Sequence, residues 1–193
     1  MPEQPEIVLG FVSQLCAGKD TALAYFQNKH GFYSSSLSDR IREELVRQGK
    51  EITRDSLQRV AGEMREKFGP MVLAERTWAD VLNHNSKKAI VGSLRGTEEV
   101  EFFRKQTPSF HLIFIDADEK IRFERMVARS KATGRKDPVT WEEFNGMMQR
   151  EQYGDGRNIP ATIKMADFTV ENNGTLEEFE KKLDELLKQL KVS

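Results

Sequence analysis

The sequence has one cysteine, no long apolar stretch and almost no net charge. Cys16 has no second cysteine to pair with, so no disulfide can form within the chain, which suits a reducing compartment. No apolar run approaches the roughly 20 residues that a membrane-spanning helix needs. The formal net charge of −1 argues against a dedicated nucleic-acid-binding protein. We therefore expect a cytoplasmic protein that acts on small molecules and not on membranes.

Two common kinds of catalytic centre also lack support in the sequence. The three histidines, His30, His84 and His111, show no metal-ligand spacing with one another or with Cys16. No serine or cysteine triad signature is evident. The chemistry must therefore be sought among the glycines, lysines, arginines and acids.

Apolar segments alternate with amphipathic helical ones along the whole chain. This alternation predicts an α/β fold with a mainly parallel sheet and helices on both faces. With 193 residues, we expect a single domain over residues 1–193, built as a three-layer α/β/α structure around five strands. The predicted strands are residues 7–12, 32–36, 89–94, 110–116 and 167–172.

Several helix ends can be predicted from capping residues. Ser38 or Asp39 should begin a helix that ends at Gly49, and Thr53 should begin the next one. Residues 140–143 and 175–178 have the pattern of capping boxes. Gly154 and Gly156 indicate a loop.

Residues 13–21, with the sequence SQLCAGKDT, lie between the first predicted strand and the first predicted helix. A strand, a loop ending in Gly-Lys and a helix form the layout of a phosphate-binding loop. The match is imperfect, because Ser13 replaces the first glycine and Asp20 the hydroxyl residue, with Thr21 one place later. The alternative is an ordinary strand–helix turn with an exposed lysine. We favour the phosphate loop because ligands bind at the carboxyl ends of parallel strands.

Phosphoryl transfer requires positive charge around the moving group, so the arginines are the next candidates. Residues 120–136 contain seven basic side chains, and Arg122, Arg125 and Arg129 share one helical face. With a phosphate loop in the same domain, we interpret this segment as an arginine-bearing lid. The alternatives are a solvated helix face and a patch for nucleic acid.

Two further arginine positions follow predicted strands. Asp39, Arg40 and Arg42 come after the second strand, and an arginine there could bind an acceptor phosphate. Arg95 follows the third strand directly. The alternatives are a helix start with a dipole-matched Asp39, and a surface arginine paired with Glu98 or Glu99.

The stretches SQLCAGKDT, SLSDRIREEL, VGSLRGTEEVEFFRK and ADFTVENNGTLEEF occur in an order and spacing that resemble a known superfamily. The chain resembles P-loop nucleoside and nucleotide kinases over about residues 7–188, in particular dephospho-CoA kinases and a related uncharacterised archaeal and bacterial kinase-like family. The resemblance implies a P-loop NTPase fold and an Mg²⁺-dependent phosphotransferase that uses ATP. It also implies a helical acceptor-binding region at about residues 38–84 and a lid at about residues 129–150.

The resemblance assigns roles residue by residue. It implies catalytic roles for Lys19, Arg95, Arg129 and Arg135, and a metal role for Asp20 and Thr21. Asp39, Arg42 and Arg95 match acceptor-binding positions. Nucleotide binding is implied for Ser13, Ala17, Gly18, Lys19, Asp20, Thr21, Arg129, Asn173 and Gly174.

One departure from the family pattern concerns Gly92 and Ser93, which stand where the family has Asp-Gly. That aspartate usually orders the metal or its waters. Our first hypothesis, which rests on the other matches, is a kinase for a nucleotide or similar phosphorylated acceptor. Under this hypothesis, restoring the aspartate by Gly92→Asp is expected to raise the activity. The second is a nucleotide-binding sensor or regulatory module with little turnover. A nucleic-acid-linked enzyme using the basic lid is a third.

Overall fold

The strands form one five-stranded parallel sheet and one small hairpin. The computed structural model describes residues 4–134, 137, 139–154 and 156–192. Its strands are β1 (Ile7–Ser13), β2 (Tyr33–Ser36), β3 (Lys88–Gly92), β4 (Phe110–Asp116), β5 (Tyr153–Gly154), β6 (Arg157–Asn158) and β7 (Phe168–Glu171). The large sheet has the order β2-β3-β1-β4-β7, and all its pairings are parallel. The predicted five-stranded sheet is confirmed.

Helices connect the strands and cover the sheet. They are α1 (Lys19–His30), α2 (Leu37–Arg47), α3 (Arg54–Phe68), α4 (Val72–His84), α5 (Thr97–Gln106), α6 (Glu119–Thr133), α7 (Trp141–Gln152), α8 (Ile159–Lys164) and α9 (Leu176–Gln189). Among the described helices, none combines the length and apolar composition that a membrane crossing would require.

The central strand β1 explains the three layers. Val8 and Val12 point into a core shared with α3, α4, α5 and α8, whereas Leu9 and Phe11 point into a core shared with α1 and α9. All four side chains are at most 1% exposed. A strand buried on both faces needs a continuous apolar run, which the sequence of β1 supplies. The α/β/α architecture is therefore confirmed.

The capping residues place most helix starts correctly. Thr53, Thr140 and Thr175 each accept a hydrogen bond from the backbone N–H three residues later, as predicted. The predicted start of α2 was wrong, because Ser36 is its cap and accepts from the N–H of Asp39 at 3.2 Å. The chain thus passes from β2 into α2 without a loop, which keeps the first turn of α2 at the carboxyl edge of the sheet.

The region around Gly154 and Gly156 is more ordered than the predicted loop. β5 and β6 pair as an antiparallel hairpin, and α8 follows directly. Asn158 caps α8 by accepting from the N–H of Ala161 at 3.2 Å. The hairpin strands have two residues each, so no period-two pattern could reveal them in the sequence.

Candidate active site

The loop between β1 and α1 turns sharply before the helix begins. Cys16 has φ 62° and Gly18 has φ 104°, both in the left-handed region. A β-carbon on Gly18 would lie 2.1 Å from Nδ2 of Asn172, so no larger residue fits there. No side chain caps α1 at this end. The first-turn N–H groups and the positive end of the helix dipole are therefore available to an anion.

Asn172 and Arg125 hold this loop in position. Nδ2 of Asn172 donates to the carbonyl of Ala17 at 2.8 Å, and Nη1 of Arg125 donates to the same oxygen at 3.4 Å. Nη2 of Arg125 also donates to Oδ1 of Asn172 at 3.2 Å. Neither residue was among the predicted site residues. Asn172 is only 6% exposed, and an asparagine as the last residue of a predicted strand, at this edge of the sheet, is the signal that could have identified it.

The predicted nucleotide-binding residues Asn173 and Gly174 lie in the next turn. Asn173 accepts from the N–H of Asp118 at 2.8 Å and donates to its carboxylate at 3.1 Å. A β-carbon on Gly174 would lie 1.8 Å from Oε2 of Glu178, in the first turn of α9. These contacts join the loops that follow β4 and β7, which are neighbours in the sheet.

Lys19 and Asp20 form an ion pair at the start of α1, with 2.5 Å between Nζ and Oδ1. Partial desolvation acts to raise the pKa of Asp20, but the charge and hydrogen bond of Lys19 lower it on balance. The charges of Arg42 and Arg129 contribute to the same lowering. The charges of Lys19, Arg42 and Arg129 thus all favour the ionised form of Asp20.

Three arginines of α6 lie beside the loop, on the face that their spacing predicts. Burial raises the pKa of the Cys16 thiol, while the charges of Arg129, Arg122 and Arg125 act to lower it. Arg122 is buried, and its Nε donates to the carbonyl of Ala117, in the loop after β4, at 3.0 Å. The loop is thus bordered by positive charge along one side.

An apolar cluster joins the loop to α6 and α7. Leu15 and Cys16 pack against the buried side chains of Met126, Phe144 and Met148. Met126 lies on α6, and the other two lie on α7. The loop is thus packed against both α6 and α7.

Of the two predicted lid arginines, Arg129 is described and Arg135 lies outside the described residues. Nε and Nη2 of Arg129 both contact Oδ2 of Asp137, at 3.0 and 2.9 Å. Arg129 is thus held by a carboxylate that lies beyond the end of α6.

Asp39 and Arg42 form a pair close to the end of β3. Nη1 of Arg42 donates to Oδ1 of Asp39 and to Oγ of Ser38, each at 2.9 Å. Oγ of Ser38 lies 3.1 Å from Oγ of Ser93. Arg40 points elsewhere, to Asp80 at 3.4 Å. The structure therefore brings Arg42, but not Arg40, to the residues that replace the family's Asp-Gly.

Gly92 and Ser93 are closely packed at this point. A β-carbon on Gly92 would lie 3.0 Å from Cβ of Ser36 and 3.1 Å from Cδ2 of Leu23. Ser93 has φ 66°, a conformation that glycine adopts more readily than serine. This lack of space opposes the introduction of an aspartate side chain at position 92.

Arg95 is bound through its backbone and its side chain to different acids. Its N–H donates to Oε2 of Glu99 at 2.8 Å, and its Nη1 contacts Oε2 of Glu151 at 3.5 Å. Burial raises the pKa of Glu99, although hydrogen bonds from the backbone N–H groups of Arg95 and Gly96 oppose the rise. The N–H of Arg95 thus binds Glu99, whereas its guanidinium contacts Glu151 on α7.

The donor chemistry for a metal ion is limited but suitable. Asp20 and Thr21 are exposed at the start of α1 and offer a carboxylate and a hydroxyl oxygen. Within the described part of the chain, no three His, Cys, Asp or Glu side chains are grouped closely enough to hold a metal. Mg²⁺ commonly binds one or two protein oxygens together with substrate phosphates and water, and this pair fits that pattern.

The sheet order, the loop before α1 and the flanking helices are those of the P-loop kinase fold. Residues 16–145 match the family model described as AAA domain. A UPF0200 protein from Thermococcus gammatolerans is 32% identical over 179 residues, covering 90% of each chain. The chain therefore belongs to the AAA-domain family and to the UPF0200 proteins.

Two other similarities extend this comparison. A UPF0200/UPF0201 protein from Archaeoglobus fulgidus is 34% identical over 186 residues, but this chain spans only 55% of its length. Shikimate kinase from Bacteroides thetaiotaomicron superposes with a TM-score of 0.55 at 16% identity, covering 96% of this chain and 99% of that one. At this identity the likeness is one of fold.

Proposed function

We propose that the protein is an ATP-dependent phosphotransferase that acts on a nucleotide or similar small phosphorylated acceptor. The observation that carries this proposal is the uncapped start of α1, where Lys19 pairs with Asp20 at 2.5 Å. The charges of Arg42 on α2 and Arg129 on α6 also lower the pKa of Asp20, so positive charge lies near a helix start whose first-turn amides have no side-chain cap. Phosphoryl transfer depends mainly on such positioning and charge.

Each residue then has a defined task. Lys19 exchanges Asp20 for the β- and γ-phosphates of ATP, which the loop amides also bind. Arg129, after leaving Asp137, neutralises charge that develops on the transferred group, together with Arg135. Arg42 and Arg95 bind the acceptor, with Asp39 orienting Arg42.

The fold implies a magnesium ion, and Asp20 and Thr21 would hold it directly or through water. Bound there, Mg²⁺ supplies additional positive charge to the phosphates of ATP. The lowered pKa of Asp20 keeps its carboxylate ionised at neutral pH, as a ligand for such an ion must be. Small nucleotides are the partners that this site suits.

A second candidate function is nucleotide sensing with little turnover. The absence of an aspartate at position 92 and the tight packing of Gly92 against Ser36 favour it. In this candidate function ATP still binds at the loop. No aspartate at position 92 then orders the metal ion or its waters.

Calorimetry and a turnover assay separate these candidates. We expect Lys19→Ala to weaken ATP binding about 10- to 100-fold, the range expected for losing a charge-assisted bond. Lys50→Ala, an exposed lysine outside the site, serves as the matched control. ATP binding with transfer to a nucleoside monophosphate or dephospho-CoA supports the kinase. Binding without transfer across the panel supports the sensor, and an unchanged affinity in Lys19→Ala contradicts both.

A further inference from the structure

Two arginines and one glutamate meet where the β5–β6 hairpin packs against the end of β3. Nη1 of Arg95 lies 3.5 Å from Oε2 of Glu151, and Nη1 of Arg157 lies 3.6 Å from the same oxygen. The side chains of Arg157 and Glu151 are only 12% and 14% exposed, whereas that of Arg95 is 45% exposed. Two cations are thus directed at one point from different segments of the chain.

The main chain fixes the positions of the two arginines independently of Glu151. The N–H of Asn158, next to Arg157, donates to the carbonyl of Arg95 at 2.8 Å. A β-carbon on Gly96 would lie 2.4 Å from the carbonyl oxygen of Gly156, so the hairpin backbone approaches as closely as glycine permits. Glu99 also binds the N–H groups of Arg95 and Gly96, at 2.8 and 3.1 Å.

The contacts with Glu151 are loose for ion pairs between such well-placed groups. Charge-assisted N–H···O bonds are usually about 2.7–2.9 Å long, as between Arg129 and Asp137 at 2.9 Å. The carboxylate of Glu151 has only two oxygens and one negative charge to share between the two guanidinium groups. A phosphate monoester carries three oxygens and nearly two negative charges, so it can bond to both arginines at once.

We infer that Arg95 and Arg157 form one binding site for the phosphate group of an anionic acceptor, and that Glu151 occupies this site until the acceptor displaces it. Glu151 is a positioning residue, because it neutralises the two cations and keeps them directed at one point. The identity of the anion as an acceptor rests on the proposed function, whereas the anion site itself does not. Arg157 is thereby added to the acceptor-binding residues.

The test measures inorganic phosphate binding in a Lys19→Ala background, which weakens phosphate binding at the α1 loop. Adding Glu151→Gln should tighten phosphate binding at least about fivefold, which corresponds to about 1 kcal/mol. Adding Glu142→Gln, an exposed glutamate on the same helix, should leave it unchanged. Adding Arg157→Gln to the Glu151→Gln variant should remove the gain, and so should adding Arg95→Gln. Damage to the structure alone would lower the affinity and could not raise it.

Thermal denaturation provides a second measurement. Phosphate should raise the melting temperature of the Glu151→Gln variant more than chloride does at equal ionic strength. If that variant does not fold, Glu151→Asp, whose carboxylate is withdrawn by one methylene, should show a smaller gain in phosphate affinity. Unchanged or weaker phosphate binding in the folded Glu151 variants overturns the inference. A gain in phosphate affinity, together with no ATP turnover by the wild-type protein, would leave the anion site standing without the kinase.

Discussion

Asn172 donates a hydrogen bond from Nδ2 to the carbonyl oxygen of Ala17 at 2.8 Å, and the same amide nitrogen fills the space where Gly18 lacks a β-carbon. One buried side chain therefore fixes both the last carbonyl of the loop and the glycine that begins α1. Because Asn172 follows β7 directly, the end of an outer strand determines the conformation of a loop at the centre of the sheet.

Asn172→Ala should lower both stability and ATP affinity. The substitution leaves the carbonyl of Ala17 without this buried donor, which costs about 1–3 kcal/mol in the free energy of unfolding. Chemical denaturation and ATP calorimetry measure the two effects. Asn28→Ala, an exposed asparagine on α1, is the control and should change neither. Full ATP affinity in Asn172→Ala would show that the loop does not depend on this bond.

Asp20→Ser should separate ATP binding from magnesium dependence. The carboxylate pairs with Lys19 and repels phosphate, so its removal should tighten Mg²⁺-free ATP binding about three- to tenfold. Loss of the carboxylate ligand should reduce the additional gain in affinity that Mg²⁺ provides. Calorimetry with and without Mg²⁺ measures both effects. Weaker Mg²⁺-free binding in Asp20→Ser would mean that the carboxylate aids the loop by another route.

Gly92→Asp should destabilise the protein by about 1–3 kcal/mol, the usual cost of overpacking a dense region. The added β-carbon would approach Ser36 and Leu23 within 3.1 Å. Gly92→Ala should show most of the same cost, because the β-carbon causes the crowding. Urea denaturation of both variants, beside a turnover assay, distinguishes crowding from a catalytic effect. A fully stable Gly92→Asp variant with raised turnover would restore the expectation drawn from the family pattern.

Asp184 forms a cluster with Tyr25, Lys29 and His30, and this cluster should control the stability of the protein in acid. Partial burial acts to raise the pKa of Asp184, but hydrogen bonds from Lys29, Tyr25 and His30 lower it to about 2. Since this value is below the unfolded value of about 3.9, the contribution is present above about pH 4 and is lost as the pH falls toward 2.

Denaturation of the wild type and of Asp184→Asn between pH 7 and pH 2 tests this assignment. The difference in unfolding free energy between them should be largest near neutral pH and should shrink below about pH 4. Glu185→Gln, an exposed neighbour on α9, should show no comparable difference. A difference that stays constant down to pH 2 would exclude an ionised Asp184 as its source.

The sequence by itself determined the parallel sheet and the loop before α1. The continuous apolar run of β1 can only be buried on both faces, and the capping residues Thr53, Thr140 and Thr175 act through bonds within four residues. The one-face spacing of Arg122, Arg125 and Arg129 is also a local property, since 3.6 residues make one turn of a helix. These features follow from short-range geometry and so appear in the pattern of residues.

Only the tertiary structure decided which side chains meet at the site. Asn172 and Ala17 are 155 positions apart, and Arg95 and Glu151 are 56 apart. No periodicity encodes such contacts. They depend on the order of the strands in the sheet and on how the β5–β6 hairpin packs against Gly96. The sequence therefore established that a loop of this kind follows β1. The packing around it determined that Asn172 and Arg125 hold the loop and that Glu151 occupies the space between two arginines.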